Sequence, residues 1–93
     1  MVYTDPDFEW DDTNEEHLAR HGVSPDEAEQ AAFDQQRYVY PAAAGRERRF
    51  IAIGSTDAGR LLAVVFTRRG ERIRIVTSRS PNKWEERRYR RRK

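Results

Sequence analysis

Three apolar runs follow one another in the second half of the chain. They are RRFIAIG (residues 48–54), RLLAVVFT (60–67) and RIRIVTS (72–78), separated by short glycine-containing segments. Such runs joined by tight turns are typical of consecutive hairpins. The middle run is apolar at odd and even positions alike, which predicts a strand at the centre of the sheet. We therefore expect an antiparallel β-meander.

The last run alternates along its length. In a strand, successive side chains point to opposite faces. One predicted face is therefore more polar and carries arginine, while the other is mainly apolar. The two predicted faces are Ile73, Ile75 and Thr77, and Arg72, Arg74, Val76 and Ser78.

Two helices are predicted ahead of these strands. In DDTNEEHLARHG (residues 11–22), Thr13 and Glu16 have capping-box spacing, and Gly22 is positioned to end the helix. The segment VSPDEAEQAAFD (23–34) carries a clearer signal. It has Ser24 as N-cap, Pro25 at the first helical position, Glu27 completing a capping box, and a predicted end near Phe33.

Three shorter segments complete the prediction. FEW (residues 8–10) is compatible with an edge strand or with an arm that packs two aromatic rings. RYVYPAAAG (37–45) predicts a short strand that runs into a loop. After Pro81, Asn82 as N-cap and Glu85 at the third helical position predict a terminal helix, frayed past Tyr89.

This order of elements predicts an α+β domain. Two N-terminal helices precede an antiparallel meander, and a C-terminal helix follows it. The 93 residues suit one domain spanning 1–93, and the chain has no cysteine for a disulfide or a thiolate metal site. No apolar run has the length of a membrane span and no signal peptide is recognisable, so we expect a cytoplasmic protein without a membrane partner.

Charge is divided sharply along the chain. Residues 1–34 hold eleven acidic residues and one basic residue, a net charge of −10. Residues 68–93 hold twelve basic and three acidic residues, a net charge of +9. This asymmetry indicates a polyanionic partner for the basic end.

Four arginines are candidates for binding that partner. Arg74 lies on the last predicted strand, Arg79 at its end, and Arg68 and Arg69 in the preceding turn. We expect all four to be close together, with Arg74 and Arg79 outside the core. A guanidinium binds phosphate through two hydrogen bonds, so a fixed cluster could stabilise charge on a reacting phosphoryl group. The alternative to phosphate binding is that these cations only form a solvated charged surface. This alternative applies most to the terminal RRYRRRK (87–93).

Other chemical candidates each have a structural alternative. Glu85 and Tyr89 are four residues apart and face the same way on the predicted helix. Tyr89 either reaches a phosphate of the polyanionic partner or packs the helix on the sheet, and Glu85 either caps the helix or acts as a base. His17 and His21 are too few for a zinc site, and His21 suits a helix end or a base. We predict no metal and no cofactor.

Several segments together resemble the BrnT family of bacterial toxins, a branch of the RelE-like ribonucleases of type II toxin–antitoxin systems. They are FEWDD, ARHGVSPDEAE, RFIAIG, GRLLAVVFTRRG, and IRIVTSR followed by Glu85 and Tyr89. The resemblance implies a compact sheet with flanking helices, metal-independent RNA cleavage that blocks translation, and a ribbon–helix–helix antitoxin. The chain could form a homodimer or a toxin–antitoxin heterotetramer.

The resemblance also assigns residues. The family often has Ala-Thr where this chain has Pro81 and Asn82, and a lysine where it has Asn14; the first change keeps a helix start. The matching positions are His21, Gly22, Arg49, Arg60, Arg69, Arg74, Arg79, Glu85 and Tyr89.

The expected reaction is attack by the substrate's own 2′-hydroxyl on the adjacent phosphorus. The alternatives are a non-catalytic RNA- or DNA-binding module and an inactive toxin homologue that acts through its antitoxin. The expected roles are charge stabilisation by Arg69, Arg74 and Arg79, a proton donor or stacking group in Tyr89, RNA contacts from Arg49, Arg60, Arg68, Lys83 and Arg88, and His21, Glu47 or Glu85 as candidate acid or base.

Overall fold

A computed structural model describes residues 8–42, 45 and 47–91. The helices and strands follow one another in the predicted order, and the FEW segment contributes a short strand ahead of them. The elements are β1 (Phe8–Glu9), α1 (Asp12–Arg20), α2 (Pro25–Ala32), β2 (Tyr38–Ala42), β3 (Arg49–Ser55), β4 (Leu61–Arg69), β5 (Arg72–Arg79) and α3 (Lys83–Arg91).

The strands form one sheet in the order β1-β5-β4-β3-β2. Strands β2 to β5 are an antiparallel meander with β4 in the middle, as the apolar runs predict. The α+β prediction is confirmed. One correction is needed, because β1 adds to the edge of β5 in parallel and makes the sheet mixed. The FEW segment is thus an edge strand over its first two residues.

Helix α1 begins differently from the prediction. Its N-cap is Asp11, not Thr13, and the capping box is completed by Asn14, not Glu16. The Asp11 carboxylate accepts from the Asn14 N–H at 3.2 Å, and the Asn14 amide oxygen accepts from the Asp11 N–H at 2.8 Å. At the other end Gly22 terminates the helix as predicted, with a positive φ of 67° that favours glycine.

The other two helices begin as predicted. Ser24 and Glu27 form the capping box of α2. For α3, the Asn82 side chain accepts from the Glu85 N–H, and the Glu85 carboxylate accepts from the Asn82 N–H, both at 2.8 Å. Helix α3 continues past Tyr89 to Arg91, and the last two residues of the predicted frayed end lie outside the described residues.

Each face of the sheet carries its own core. Helices α1 and α2 cover one face, which we call the helix-pair face, where Leu18 and Ala31 pack on Leu62, Val64 and Ile75. Helix α3 packs on the opposite face, the α3 face. There the core consists of Ile51, Ile53, Ala63 and Tyr89.

Strand β5 contains an irregularity that overturns its predicted faces. Val65 pairs with Thr77 and Phe66 pairs with Ile75, so Val76 is an extra residue without a partner on β4. Such a bulge reverses the alternation beyond it.

The bulge decides where two of the candidate arginines point. Arg74 pairs with Thr67 and Arg79 pairs with Ala63, and these β4 residues are four apart and therefore on one face. Ala63 belongs to the α3 core. Both arginines consequently lie on the α3 face, whereas strict alternation would have placed them on opposite faces.

Candidate functional site

Three arginines surround one carboxylate at the β1 edge of the α3 face. Arg69 and Arg74 each donate to Glu9 Oε1 at 3.1 Å, and Arg72 Nη1 lies 3.9 Å from Glu9 Oε2. Glu9 and Arg74 are register partners across the parallel β1–β5 pair, and Arg69 and Arg72 are partners across the β4–β5 turn. The sheet itself thus brings these four side chains together.

Two further carboxylates complete this group. Asp11 accepts from Arg74 at 2.9 and 3.2 Å, and Glu47 lies 3.5 Å from Arg69. The hydrogen bond from Arg74 holds the pKa of Asp11 below its ordinary value. The group has as many carboxylates as guanidiniums and is formally neutral. We call Glu9, Asp11, Glu47, Arg69, Arg72 and Arg74 the Glu9 cluster.

The three arginines of the Glu9 cluster differ in exposure. The Arg74 side chain is 13% exposed, whereas those of Arg69 and Arg72 are both 52% exposed. The Arg74 guanidinium donates its hydrogen bonds to Glu9 and Asp11. Arg72 makes no hydrogen bond to the described residues, so its guanidinium faces solvent with its donors available.

Arg79 belongs to a second, separate group. It donates to Glu85 at 2.7 and 3.0 Å through both terminal nitrogens, and the Tyr40 hydroxyl donates to the same carboxylate. Glu85 is fully buried. Burial would raise the pKa of Glu85, but the hydrogen bonds from Arg79, Tyr40 and the Asn82 N–H together lower it. We call Tyr40, Arg79, Asn82 and Glu85 the Glu85 cluster.

Tyr89 is buried beneath α3. Its side chain is 6% exposed and its hydroxyl donates to Asp34, which also accepts from the Ser55 N–H at 2.8 Å. Burial and the Asp34 carboxylate raise the pKa of Tyr89 to about 12. Tyr89 thus connects α3 to the end of α2 and to β3, as its packing alternative predicts.

The four arginines do not form the single cluster that we expect from the sequence. Arg69 and Arg74 are in the Glu9 cluster, while Arg79 lies at the other end of β5, roughly 15 Å away at about 3.3 Å per residue. Arg68 pairs with Ile73 and points to the helix-pair face beside Phe66. Arg79 lies outside both cores, as expected, but it neutralises the buried Glu85 carboxylate, so its replacement should not leave the fold unaffected.

The remaining predicted RNA contacts are distributed over the molecule. Arg60 donates to the Gly22 carbonyl at 2.8 Å and secures the α1–α2 connection. Arg49 lies 3.4 Å from Glu47. Lys83 is exposed on the first turn of α3, and the Arg88 guanidinium lies over the Tyr38 ring.

The candidate acids and bases occupy three different environments. Glu47 stands in the Glu9 cluster, and Glu85 has no exposed surface. His21 is the exposed C-cap of α1, and His17 lies 3.3 Å from the Val76 carbonyl. Among the described residues, no group of three or more His, Asp and Glu side chains is placed to hold a metal ion.

Sequence reasoning missed two prominent side chains. Glu9 lies in a strand of only two residues, which is too short to give a clear pattern in the sequence. The only signal is the alternation within FEW, which indicates that Glu9 and Phe8 point to opposite faces. Trp84 is 44% exposed on α3, with the Arg88 guanidinium 5.4 Å from its ring centre. An exposed tryptophan on a strongly basic helix is a usable signal, because aromatic rings stack on nucleic-acid bases.

None of the three helices in the described part of the chain has the length and hydropathy of a membrane-spanning segment. No curated protein sequence matches the chain. A family profile described as "Ribonuclease toxin, BrnT, of type II toxin-antitoxin system" matches residues 10–85. Such a family implies an RNA substrate and an antitoxin partner. Because the match covers most of the 93 residues, the chain belongs to the BrnT family of ribonuclease toxins of type II toxin–antitoxin systems.

Proposed function

We propose that this chain is an endoribonuclease that cuts messenger RNA without a metal ion and thereby blocks translation in the cytoplasm. We place the cut at the Glu9 cluster. The observation that carries this assignment is that Arg69, Arg72 and Arg74 converge on one carboxylate within 3.9 Å, an arrangement that suits binding of an anion.

The proposed reaction needs few protein groups. The substrate's 2′-hydroxyl attacks the adjacent phosphorus and leaves a 2′,3′-cyclic phosphate, so the protein only has to orient the strand and stabilise the equatorial oxygens. Arg69 and Arg72 suit this role because both are half-exposed. Arg74 holds Glu9 and Asp11 in position. Arg79 and Tyr89 act as supports for α3, since their polar groups serve Glu85 and Asp34.

Helix α3 supplies the RNA-binding surface in this proposal. Lys83 and Arg87 are exposed, and Arg88 stacks against Trp84 and Tyr38. Cations attract the phosphates and an exposed indole offers a stacking surface for a base, a combination typical of single-strand binding.

The antitoxin is proposed to be a ribbon–helix–helix protein that neutralises the toxin and assists autorepression. A homodimer of the toxin and a toxin–antitoxin heterotetramer are distinguished by light scattering of the chain alone and with its co-encoded partner.

The enzymatic proposal is tested on purified protein with a single-stranded RNA. We expect cleavage that persists in excess EDTA and leaves 2′,3′-cyclic phosphate ends. Arg69→Ala and Arg72→Ala should each slow it by ~10²-fold, the scale for losing one preorganised donor. Lysine at either position should restore little, because a point charge does not reproduce the two-pronged contact. Arg20→Ala, which removes an exposed arginine on α1, is the matched control.

Two results would contradict this proposal in different ways. Loss of cleavage in EDTA would overturn the metal-free reaction. Wild-type protein that binds RNA and leaves it intact would favour the binding module or inactive homologue, for which the charge neutrality of the Glu9 cluster is a specific argument.

A further inference from the structure

The Glu9 carboxylate has two oxygens in different environments. Oε1 accepts hydrogen bonds from Arg69 and Arg74. Oε2 accepts none from the described residues, and Arg72 lies 3.9 Å away from it. The side chain is 24% exposed. One oxygen is therefore fixed by two hydrogen bonds, while the other has lone pairs to spare on a partly exposed side chain.

The backbone of the two-residue strand β1, which carries Glu9, is held by side chains of neighbouring elements. The buried Asn14 side chain donates to the Glu9 carbonyl and to the Ile75 carbonyl, both at 2.9 Å. On the helix-pair face, the Phe8 ring packs edge-on against Phe33 at 5.3 Å between centroids. Glu9 is thus positioned from three sides, by β5, α1 and α2.

We propose that Glu9 is the general base of the RNA cleavage, an inference that rests on the proposed function. In this step Oε2 takes the proton of the 2′-hydroxyl while the bond from the 2′-oxygen to phosphorus forms and the bond from phosphorus to the 5′-oxygen breaks. The departing 5′-oxygen takes a proton from water, and Glu9 returns its proton to the resulting hydroxide. Protons and charge balance over the cycle.

The surrounding arginines suit the same step. A carboxylate takes up the proton beside the cations that stabilise the phosphoryl oxygens, so base and charge stabilisation meet at one point. Arg69 and Arg72 are half-exposed, and a guanidinium has five N–H donors, more than Glu9 and Glu47 occupy. Both can bind a phosphate without releasing the carboxylate.

The other candidate bases fit less well. Glu85 is fully buried and both of its oxygens accept hydrogen bonds. His21 caps α1 and is not among the residues that contact the three arginines. Glu47 contacts Arg69 only at 3.5 Å and is also paired with Arg49, so it is held less closely than Glu9.

The test compares cleavage and RNA binding in Glu9→Gln. We expect kcat to fall by ~10²-fold or more, the usual contribution of a general base. RNA affinity should stay equal or rise, because a negative charge beside the phosphate site is removed. A merely structural role would not produce slower cleavage with equal or tighter binding.

Three variants serve as controls. Glu16→Gln removes an exposed carboxylate from α1 and should cleave like the wild type. Asp11→Asn removes a charge from the Glu9 cluster but keeps a side chain that caps helices, so kcat should fall much less than in Glu9→Gln. Should Glu9→Gln fail to fold, Glu9→Asp keeps the charge and withdraws the carboxylate, and kcat should fall at unchanged RNA affinity.

Each outcome is decisive. If Glu9→Gln cleaves at the wild-type rate, the inference is wrong and the proposed function stands. If it cleaves faster, Glu9 blocks the site as an internal substitute for phosphate, which also overturns its role as base. If wild-type protein leaves RNA intact, the proposed function fails and this inference falls with it.

Discussion

Gly54 marks the place where α2 meets the sheet backbone. A Cβ atom at this position would lie 2.0 Å from the Ala31 carbonyl oxygen, closer than any real contact. Gly59 differs, since its φ of 90° strains an alanine but the space around it is open. An alanine at Gly54 would therefore destabilise the fold through a steric clash, and an alanine at Gly59 through backbone strain alone.

We expect Gly54→Ala to lower the free energy of unfolding by about 3 kcal/mol, because α2 must move off the sheet. Gly59→Ala should cost only about 1–2 kcal/mol, the strain of a left-handed residue. Urea unfolding of both variants makes the comparison. Equal losses of unfolding free energy in the two variants would show that α2 can shift away from Gly54 at little cost.

The Glu85 carboxylate makes the stability of the folded protein depend on pH in the acidic range. Its pKa is lowered in the folded protein from an ordinary value of 4.5, so the unfolded chain binds the proton more readily. The associated stability is present above that value and is lost as the pH falls below it. Urea unfolding between neutral pH and pH ~3 should therefore show a loss of stability that Glu85→Gln reduces. An unchanged slope in the variant would assign the acid sensitivity to other carboxylates.

Arg79→Ala should also destabilise the protein, because Glu85 is left buried and uncompensated. We expect a loss of about 2 kcal/mol or more. Arg72→Ala, at an exposed position on the same strand, should lose little. Thermal unfolding measures both. Equal stability would mean that Tyr40 and Asn82 alone satisfy the carboxylate.

At the scale of the element, local signals carried most of the prediction. The capping boxes of α2 and α3 and the apolar runs of the meander are encoded within a few residues, and they were predicted correctly. The α1 cap was misplaced because Asp11 and Asn14 form an alternative box two positions earlier. The bulge at Val76 was missed because the sequence contains no local sign of the extra residue.

That bulge also explains why the candidate site was only partly predictable. The arginine residues were visible in the sequence, but their grouping depends on the faces of β5 and on the pairing of β1 with it. Pairings between distant segments leave no short motif. Glu9, sixty residues before Arg69, could be assigned to the site only through the fold.

Deleting Val76 tests the bulge directly. Regular pairing would turn either the Ile75 side or the Ser78 side of β5 to the wrong face, and both residues are fully buried. We expect a loss of about 3 kcal/mol or more, comparable to losing a buried side chain. Val76→Ala keeps the residue count and should cost much less. Thermal denaturation decides, and a deletion variant as stable as Val76→Ala would show that β5 accepts either register.

At the scale of the whole molecule, part of the charge asymmetry is neutralised by ion pairs within the fold. Acidic residues of the N-terminal third neutralise arginines of the sheet, as Glu9 and Asp11 do for Arg74. The basic end is therefore less available to a polyanion than its net charge suggests. The cations of α3 that form no ion pair with the described residues are Lys83, Arg87, Arg88 and Arg91.

This count predicts the salt dependence of RNA binding. These four cations, together with the scissile phosphate bound by Arg69 and Arg72, make about five phosphate contacts on a single strand, which give a slope of log affinity against log salt of about −3.5, at ~0.7 per phosphate. Participation of all twelve basic residues in 68–93 would give a far steeper slope, of about −8. The double variant Lys83→Gln, Arg87→Gln should reduce the slope by about 1.4, whereas Arg20→Gln on α1 should not change it. Fluorescence titration across a range of salt concentrations measures all three. A wild-type slope near −8 would mean that RNA displaces the internal carboxylates from the sheet arginines, and a flat response would mean that the binding is not electrostatic.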